Sequence, residues 1–241
     1  MKLKNYAATM ALAGAIFSTS AVAATVSWTD WTSVSTGASQ VNGSLAVGAT
    51  NVGVSFNGAY SFAQTSGGTN YWNPSTPYVG SIVSNAPPAS DIIGLNTGGT
   101  ATITFSQAVT DPLIALVSWN GNTVDFGVPI EILSYGQGFW GNGTPVLNSD
   151  GDGFFGSGEV HGVIRLPGTY STISFTHTSE NWHGLTVGAV GLPTSNGVPE
   201  PTGLALVGLA LAGLGWTRRK AVKYLPSTPA PTPLRRGFSF R

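Results

Sequence analysis

The alternation of apolar and polar residues with a period of two is the feature that most constrains the fold. Val52, Val54 and Phe56 are separated by single small or polar residues, and segment 101–106 repeats this pattern. Such alternation indicates β-strands with one buried face. No stretch between residues 24 and 192 has a sustained period of 3.6 residues, so we expect no long amphipathic helix in this region.

Two segments are more continuously apolar, at residues 113–119 and 130–133. Runs of this kind are typical of central strands that are covered on both faces. The abundance of Gly, Thr, Ser and Asn favours short strands joined by turns over helices. We therefore predict an all-β fold for residues 24–192, a single jelly-roll-like β-sandwich, which we favour over a barrel.

The charge of the chain is unevenly distributed. Between residues 24 and 198, Arg165 is the only basic residue, whereas the same stretch contains nine acidic residues and no lysine. Binding to phosphate groups needs clustered Lys and Arg. This distribution therefore excludes nucleic acid and anionic membrane surfaces as expected partners. Cysteine is absent, which excludes disulfide bonds and thiolate chemistry.

The N-terminus has the three parts of a secretory signal peptide. Lys2 and Lys4 form a positive segment, residues 7–17 are apolar, and residues 21–23 provide an Ala-x-Ala cleavage site. We predict a signal peptide over residues 1–23, cleaved after Ala23, and hence export. The alternative is a retained N-terminal anchor, which the shortness of the apolar run disfavours.

A second apolar run lies near the C-terminus. Residues 202–216 carry no charge, follow a Pro-Glu-Pro tripeptide at 199–201 and precede a basic cluster at 218–220. As a helix, this run would rise about 22 Å, which is less than the roughly 30 Å hydrocarbon core of a bilayer. We predict a linker over 193–198 and a short transmembrane helix over 202–217, with the basic cluster on the cytoplasmic side.

This order of parts closely resembles the PEP-CTERM sorting signal of bacterial surface proteins, which a membrane protease called exosortase reads. The residues that match the processing signal are Pro199, Glu200 and Pro201, followed by Arg218 and Arg219 in the basic cluster. The resemblance implies an exosortase-type partner and an intermediate in the inner membrane. It then implies a position at the cell surface or in the extracellular matrix of a bacterium with an outer membrane. A plain single-span anchor is the alternative.

Residues 221–241 continue beyond the basic cluster, whereas the PEP-CTERM family usually ends within a few residues of it. The segment contains several Pro and Arg residues and has no core-forming pattern. We predict a disordered basic tail here. The alternative is an error in the predicted end of the reading frame.

The region 26–191 also resembles a domain that recurs in PEP-CTERM proteins. Four strings carry this resemblance: Trp28-Thr29-Asp30-Trp31, Asp91-Ile92-Ile93, Glu159-Val160-His161-Gly162-Val163-Ile164 and Glu180-Asn181-Trp182-His183-Gly184. The resemblance implies an architecture and a location, and it implies no activity.

One loop has the spacing of an EF-hand calcium site. Asn148, Asp150 and Asp152 offer side-chain oxygens at positions one, three and five, Phe154 offers its carbonyl at position seven, and Glu159 offers a carboxylate at position twelve. The first ligand is Asn instead of the usual Asp, and the flanking segments are predicted strands. The alternative is a hairpin loop whose side chains bond their own backbone.

Aromatic and histidine side chains are further candidates. Trp72 and Trp140 are flanked by Asn, Pro and Gly, and exposed tryptophans of this kind can stack on sugar rings; packing in the core is the alternative. His161, His177 and His183 lie near glutamates in sequence, which is compatible with a metal site or an acid–base pair. Their spacing matches no known metal signature, and we predict structural histidines.

The sequence favours binding or structure over catalysis. It contains no Gly-x-Ser-x-Gly elbow, no P-loop and no dinucleotide fingerprint. We predict that the protein is not an enzyme, requires no cofactor, and has a structural or adhesive role at the cell surface or in the polysaccharide matrix of a biofilm. The alternatives are a calcium-assisted carbohydrate-binding module and an envelope hydrolase.

Overall fold

The computed structural model describes residues 23–193, and these residues form an all-β structure with two short 3₁₀ turns at Thr36–Ala38 and Thr76–Tyr78. The strands, in chain order, are β1 (Ser27–Trp28), β2 (Asp30–Ser35), β3 (Gln40–Val47), β4 (Thr50–Asn57), β5 (Phe62–Gln64), β6 (Ile92–Leu95), β7 (Gly99–Thr110), β8 (Leu113–Trp119), β9 (Thr123–Asp125), β10 (Glu131–Tyr135), β11 (Thr144–Leu147), β12 (Gly153–Ser157), β13 (Val160–Arg165), β14 (Thr169–His177) and β15 (His183–Ala189).

The strands form two antiparallel sheets. Sheet A has the order β10-β13-β8-β15-β6-β5, and the short strand β1 also pairs with β15. Sheet B has the order β11-β12-β9-β14-β7-β4-β3-β2. The prediction of an all-β, sandwich-like fold is therefore confirmed.

The main core lies between the two sheets and is built by the predicted alternation. Val52, Val54 and Phe56 of β4 are buried, and they share one apolar cluster with Ile103 of β7. Sheet A contributes the residues that face them, including Leu116 of β8. Because every second residue of these strands points to the same side, one face of each sheet supplies this core.

A second core covers the outer face of sheet A. Residues 113, 115 and 117 of β8 pack there beneath Trp72 and Tyr78. Both of these aromatic side chains come from the long connection between β5 and β6, which folds back over the sheet. All seven residues of β8 are buried. The prediction that this segment is a central strand covered on both faces is confirmed.

The prediction for residues 130–133 is wrong in one respect. The segment does form part of a strand, β10, but β10 is the edge strand of sheet A. Ile132 and Leu133 are only partly buried there. β10 pairs with one neighbouring strand, β13, along one of its edges. The apolar composition of β10 is therefore not a sign of a central position in the sheet.

Two strings of the domain resemblance have structural roles in this fold. The Asp91 carboxylate accepts a hydrogen bond of 2.9 Å from the backbone N–H of Trp31. The indole N–H of Trp31 donates to the hydroxyl of Thr186, at 3.0 Å. Both Trp31 and Thr186 are fully buried. Trp31 therefore ties sheet B, through β2, to β15 of sheet A.

The predicted transmembrane helix, the processing signal and the basic tail lie outside residues 23–193, as do residues 1–22 of the predicted signal peptide and residues 194–198 of the predicted linker. Within this part of the chain, no helix is long and apolar enough to cross a membrane.

We predict that Leu116→Ala lowers the free energy of unfolding by about 2–5 kcal/mol, because it opens a cavity in the core between the sheets. The matched control is Leu147→Ala, since Leu147 is 46% exposed whereas Leu116 is 1% exposed. The control should change stability by less than about 0.5 kcal/mol. Urea unfolding of both variants measures the difference, and equal stabilities would contradict this assignment of the core.

Candidate functional site

An open cleft lies where the end of β8 meets the β10–β11 loop and the β14–β15 connection. Its volume is about 310 Å³. The residues that line it share a polar or aromatic character, and they are Ser118, Asn120, Trp140, Glu159, Glu180, Asn181 and Trp182. Two carboxylates and two indole rings therefore face the same space.

A β-bulge at the end of β8 shapes one side of the cleft. Leu116 pairs with Gly162 and Trp119 pairs with Val160, so two residues of β8 lie opposite the single residue His161. Ser118, one of the two bulged residues, has a left-handed backbone with φ of 58°. Bulges redirect side chains and occur frequently beside functional sites. Here the bulge directs the hydroxyl of Ser118 to the Glu159 carboxylate, to which it donates a hydrogen bond.

Asn120 connects the two carboxylates. Its side-chain amide donates to Glu159 Oε1 at 2.8 Å, and its backbone N–H donates to Glu180 Oε2 at 3.2 Å. The position of Glu180 is also held by its own backbone N–H, which donates to the carbonyl of Asn96 at 3.0 Å. The three polar side chains thus form a row at the cleft.

Aromatic rings form the other side of the cleft. Trp140 and Trp182 pack edge to face with 4.8 Å between ring centroids. Tyr71 contacts both indoles, at 5.4 Å and 5.1 Å. Phe62 of β5 stacks on Trp182 from a further side, at 5.7 Å, and Phe139 packs edge to face on Trp140, at 4.7 Å. We call these five residues the aromatic cluster.

Glycines allow the β10–β11 loop to approach the sheet closely enough to present Trp140. A Cβ atom at Gly138 would lie 2.1 Å from the His161 ring, and one at Gly143 would lie 2.4 Å from the backbone of Gly158. The backbone N–H of Gly143 donates to the carbonyl of Glu159 at 2.7 Å. The β10–β11 loop, which contains Trp140, is therefore fixed to the backbone of Glu159 and holds Trp140 beside that residue.

Two histidines continue inward from Glu180. His183 Nδ1 lies 3.3 Å from Glu180 Oε2, and His183 Nε2 lies 3.0 Å from His177 Nδ1. Trp119 packs against the His183 ring with 4.4 Å between centroids. Burial, together with the neighbouring His183, lowers the pKa of His177 to about 4, which a backbone hydrogen bond at Thr178 partly opposes. His177 is therefore neutral at neutral pH.

The third histidine lies beneath the β10–β11 loop. His161 Nδ1 is 3.2 Å from the hydroxyl oxygen of Tyr78, and both side chains are fully buried. Burial lowers the pKa of His161 to about 4, although the nearby Glu159 charge opposes this shift. Burial also raises the pKa of the Tyr78 hydroxyl far above its usual value. The pair is uncharged at neutral pH and belongs to the outer core.

The predicted calcium ligands do not come together in the structure. Asn148 and Asp152 lie in the β11–β12 hairpin, where Asn148 Oδ1 accepts hydrogen bonds from the backbone N–H groups of Asp152 and Gly153. Glu159 follows the far end of the five-residue strand β12 and lines the cleft. A strand of this length spans about 16 Å, so it keeps the hairpin and the Glu159 carboxylate apart.

The remaining two predicted ligands, Asp150 and Phe154, also belong to this hairpin. They do not form a common coordination shell with Glu159. Asp150 is exposed beside Ser149, and Phe154 is buried in the main core. Residues 23–193 contain no group of three or more His, Asp or Glu side chains that could hold a metal ion. The hairpin alternative describes the observed geometry, whereas calcium binding by the chain stays a prediction.

The structure separates the two predicted ligand-binding tryptophans. Trp72 is 1% exposed and packs edge to face on Tyr78 in the outer core. The expectation that Trp72 is free to bind a ligand is wrong, because no face of its ring is open. Trp140 is 49% exposed and lines the cleft, and its role in binding stays a prediction.

Sequence reasoning did not single out Trp182, Asn120 or Ser118 for the site. Trp182 and Glu180 lie in one string of the domain resemblance, and Glu159 begins another. The cleft unites these two strings. The sequence signal for the site was that Glu159, Glu180 and Trp182 all belong to strings of the same domain resemblance. No spacing in the sequence relates these residues to Trp140.

We predict that the free energy of unfolding falls as the pH is lowered from about 6.5 towards 4. Folded His161 and His177 take up a proton only near a pKa of about 4, whereas in the unfolded chain the pKa is 6.5. The unfolded state then binds more protons, so the stabilisation is complete above pH 6.5 and is lost below it. Between pH 6.5 and 5 the loss is about 2 kcal/mol per histidine.

Urea unfolding at a series of pH values measures this loss, and NMR titration of the imidazole signals assigns it. Asp91 contributes in the opposite direction, because burial raises its pKa and the folded state binds its proton first. A titration midpoint near 6.5 for His161 or His177 in the folded protein would contradict the prediction.

Comparison with known proteins identifies the C-terminal segment. Residues 197–220 match the family model of the PEP-CTERM protein-sorting motif, and they include the predicted processing signal. No curated protein and no solved structure matches the chain. The motif is the recognition signal for exosortase and implies export, a transient stay in the membrane and sorting to the cell surface. The predicted resemblance is confirmed: the chain is an exported protein that contains a PEP-CTERM sorting motif.

Proposed function

We propose that this protein is an adhesive component of the cell surface or the extracellular polysaccharide matrix, and that the cleft binds polysaccharide. The observation that carries the proposal is the row of Glu159, Asn120 and Glu180 facing the exposed ring of Trp140 and its neighbour Trp182. The sorting motif at residues 197–220 supplies the route to the surface.

The chemistry of the cleft fits a sugar ring. One face of a sugar ring presents C–H groups, which pack on aromatic rings, while its hydroxyl groups need hydrogen-bond partners. Trp140 and Trp182 offer the aromatic surface. Carboxylates accept hydrogen bonds from hydroxyls, amides both accept from and donate to them, and Asn181 adds a second amide to the lining.

The strand order supports a jelly-roll class for the sandwich. Sheet A contains the sequence β13-β8-β15-β6 and sheet B contains β12-β9-β14-β7. Among these eight strands, the first in the chain pairs with the last, β6 with β15, and the inner pairs are β7 with β14, β8 with β13 and β9 with β12. This is the pairing of a long hairpin rolled into two sheets. Jelly rolls include lectin domains, which is an argument by analogy for sugar binding.

We propose binding without catalysis. Glycosidases hold two carboxyl groups on opposite sides of the scissile bond, whereas here both carboxylates accept hydrogen bonds from the same residue, Asn120. This arrangement would place both carboxylates along one side of the ligand, where they would accept hydrogen bonds from it. The proposal requires neither calcium nor a hydrolytic step.

We predict that the purified full-length chain is retained on a polysaccharide array and that Trp140→Ala and Trp182→Ala each weaken this binding at least tenfold. Loss of a stacked aromatic side chain removes contact area that a smaller residue cannot replace. The control is Phe155→Ala, since Phe155 on β12 is 46% exposed, close to the 49% of Trp140, but does not line the cleft. Unchanged binding of both tryptophan variants would refute the role of the cleft.

We predict that replacing Pro199, Glu200 and Pro201 with alanine leaves unprocessed protein in the inner membrane. The three residues lie in the matched sorting motif, which exosortase must recognise. The control is Pro229→Ala with Pro231→Ala in the C-terminal tail, which lies beyond the motif. Immunoblots of membrane and surface fractions compare the two variants. Normal surface display of the triple variant would contradict sorting by this signal.

A further inference from the structure

We propose that the cleft selects a sugar unit that carries a protonated amine, such as a 2-amino-2-deoxyhexose of an extracellular polysaccharide. This inference rests on the proposed polysaccharide-binding function and adds the chemical class of the ligand. The argument starts from the charge of the cleft, which contains Glu159 and Glu180 but no basic side chain among its lining residues.

No Lys or Arg side chain of residues 23–193 neutralises these two carboxylates, and the imidazole beside Glu180 is that of His183, with 3.3 Å between Nδ1 and Oε2. Arg165 is the one Lys or Arg in this part of the chain, and it forms an ion pair with Glu131. Arg165 lies opposite Leu113 at the start of β8, whereas the cleft begins at Ser118. Five residues of strand separate these positions, or about 16 Å. This exceeds the Debye length of about 8 Å at physiological ionic strength.

The hydrogen bonds that hold the carboxylates leave their charge in place. Glu159 accepts from the Ser118 hydroxyl and from the Asn120 amide, and Glu180 accepts from the Asn120 backbone N–H. The hydroxyl, amide and backbone donors are neutral, and His183 Nδ1 occupies one further position beside Glu180 Oε2. Each carboxylate has about four acceptor positions. Both glutamates are only partly buried. Acceptor positions therefore remain for an ammonium group, which offers three donors.

The aromatic cluster attracts the same charge. The faces of Trp and Tyr rings bind cations, and this attraction is strongest for Trp. Trp140, Trp182 and Tyr71 lie within 5.4 Å of one another, beside the two carboxylates. An ammonium group on a sugar ring meets both features at once, because the ring stacks while the amine reaches the glutamates. A uronic acid would be repelled, and an N-acetyl group would carry no charge to be recognised.

The size of the cleft favours a sugar over a bare ammonium group. Its volume of about 310 Å³ lies at the lower end of the range for small-molecule sites. A lysine side chain would fill only a part of it and would leave Asn120 and Asn181 without ligand partners. A sugar unit offers hydroxyl groups to both amides.

The test is isothermal titration calorimetry of the full-length chain with two tetrasaccharides of equal length and linkage, one of glucosamine and one of N-acetylglucosamine. We expect the glucosamine oligomer to bind at least tenfold more tightly, and added salt to weaken it. The double variant Glu159→Gln/Glu180→Gln, which keeps hydrogen-bonding groups but removes both charges, should abolish this preference. The control Asp30→Asn/Asp150→Asn removes two exposed charges outside the cleft and should leave the preference unchanged.

The outcomes separate the amine selectivity of the cleft from its polysaccharide-binding function. Equal binding of the two oligomers would overturn the amine selectivity and leave the polysaccharide-binding function in place. Binding of a lysine tetrapeptide as tight as that of the glucosamine oligomer would also overturn it, because the site would then recognise charge without the sugar. Failure of any polysaccharide to bind would instead refute the proposed function itself.

Discussion

The burial of β8 on both faces is the constraint on which the rest of the structure depends. Its alternate residues supply the core between the sheets and the outer core beneath Trp72 and Tyr78. A strand in this position cannot shift by one residue without exchanging the two sets of side chains. The register of β8 with β13 and β15 is therefore firmly set, and so is the position of the bulge at the end of β8.

The bulge at the end of β8 places Ser118 at the cleft. Without the extra residue, the alternation would place Ser118 on the face of Leu116, inside the main core. With it, Trp119 takes the core position, and its indole N–H donates to the carbonyl of Gly184 at 2.9 Å. The Ser118 hydroxyl lies beside Glu159 instead, and it donates a hydrogen bond to the carboxylate. The left-handed backbone of Ser118 is unfavourable by about 1–3 kcal/mol, and burial of the Trp119 ring offsets this.

The sequence predicts the strands far better than the site. Alternation along the sequence identifies β4 and β7, because it shows which face of each strand is buried, and a continuous apolar run identifies β8 as covered on both faces. This local pattern does not reveal that the connection after β5 folds over sheet A and buries Trp72, the candidate for ligand binding. Nor does it reveal that the apolar strand β10 lies at the edge of sheet A. The cleft depends on non-local pairing. Glu159 and Glu180 lie on different connections, and only the register of sheet A brings them to Asn120.

The exposure of the aromatic cluster is the reason that we propose a ligand for the cleft. Trp72, Trp119 and Trp31 demonstrate that this fold buries large rings completely where it uses them for packing. Trp140 and Phe139, in contrast, remain 49% and 38% exposed although they contact other rings. Glycines bring their loop close to the sheet at a cost in backbone entropy. This contiguous exposed aromatic surface, beside carboxylates that no Lys or Arg neutralises, is the arrangement from which we propose a partner with an apolar face and a positive group.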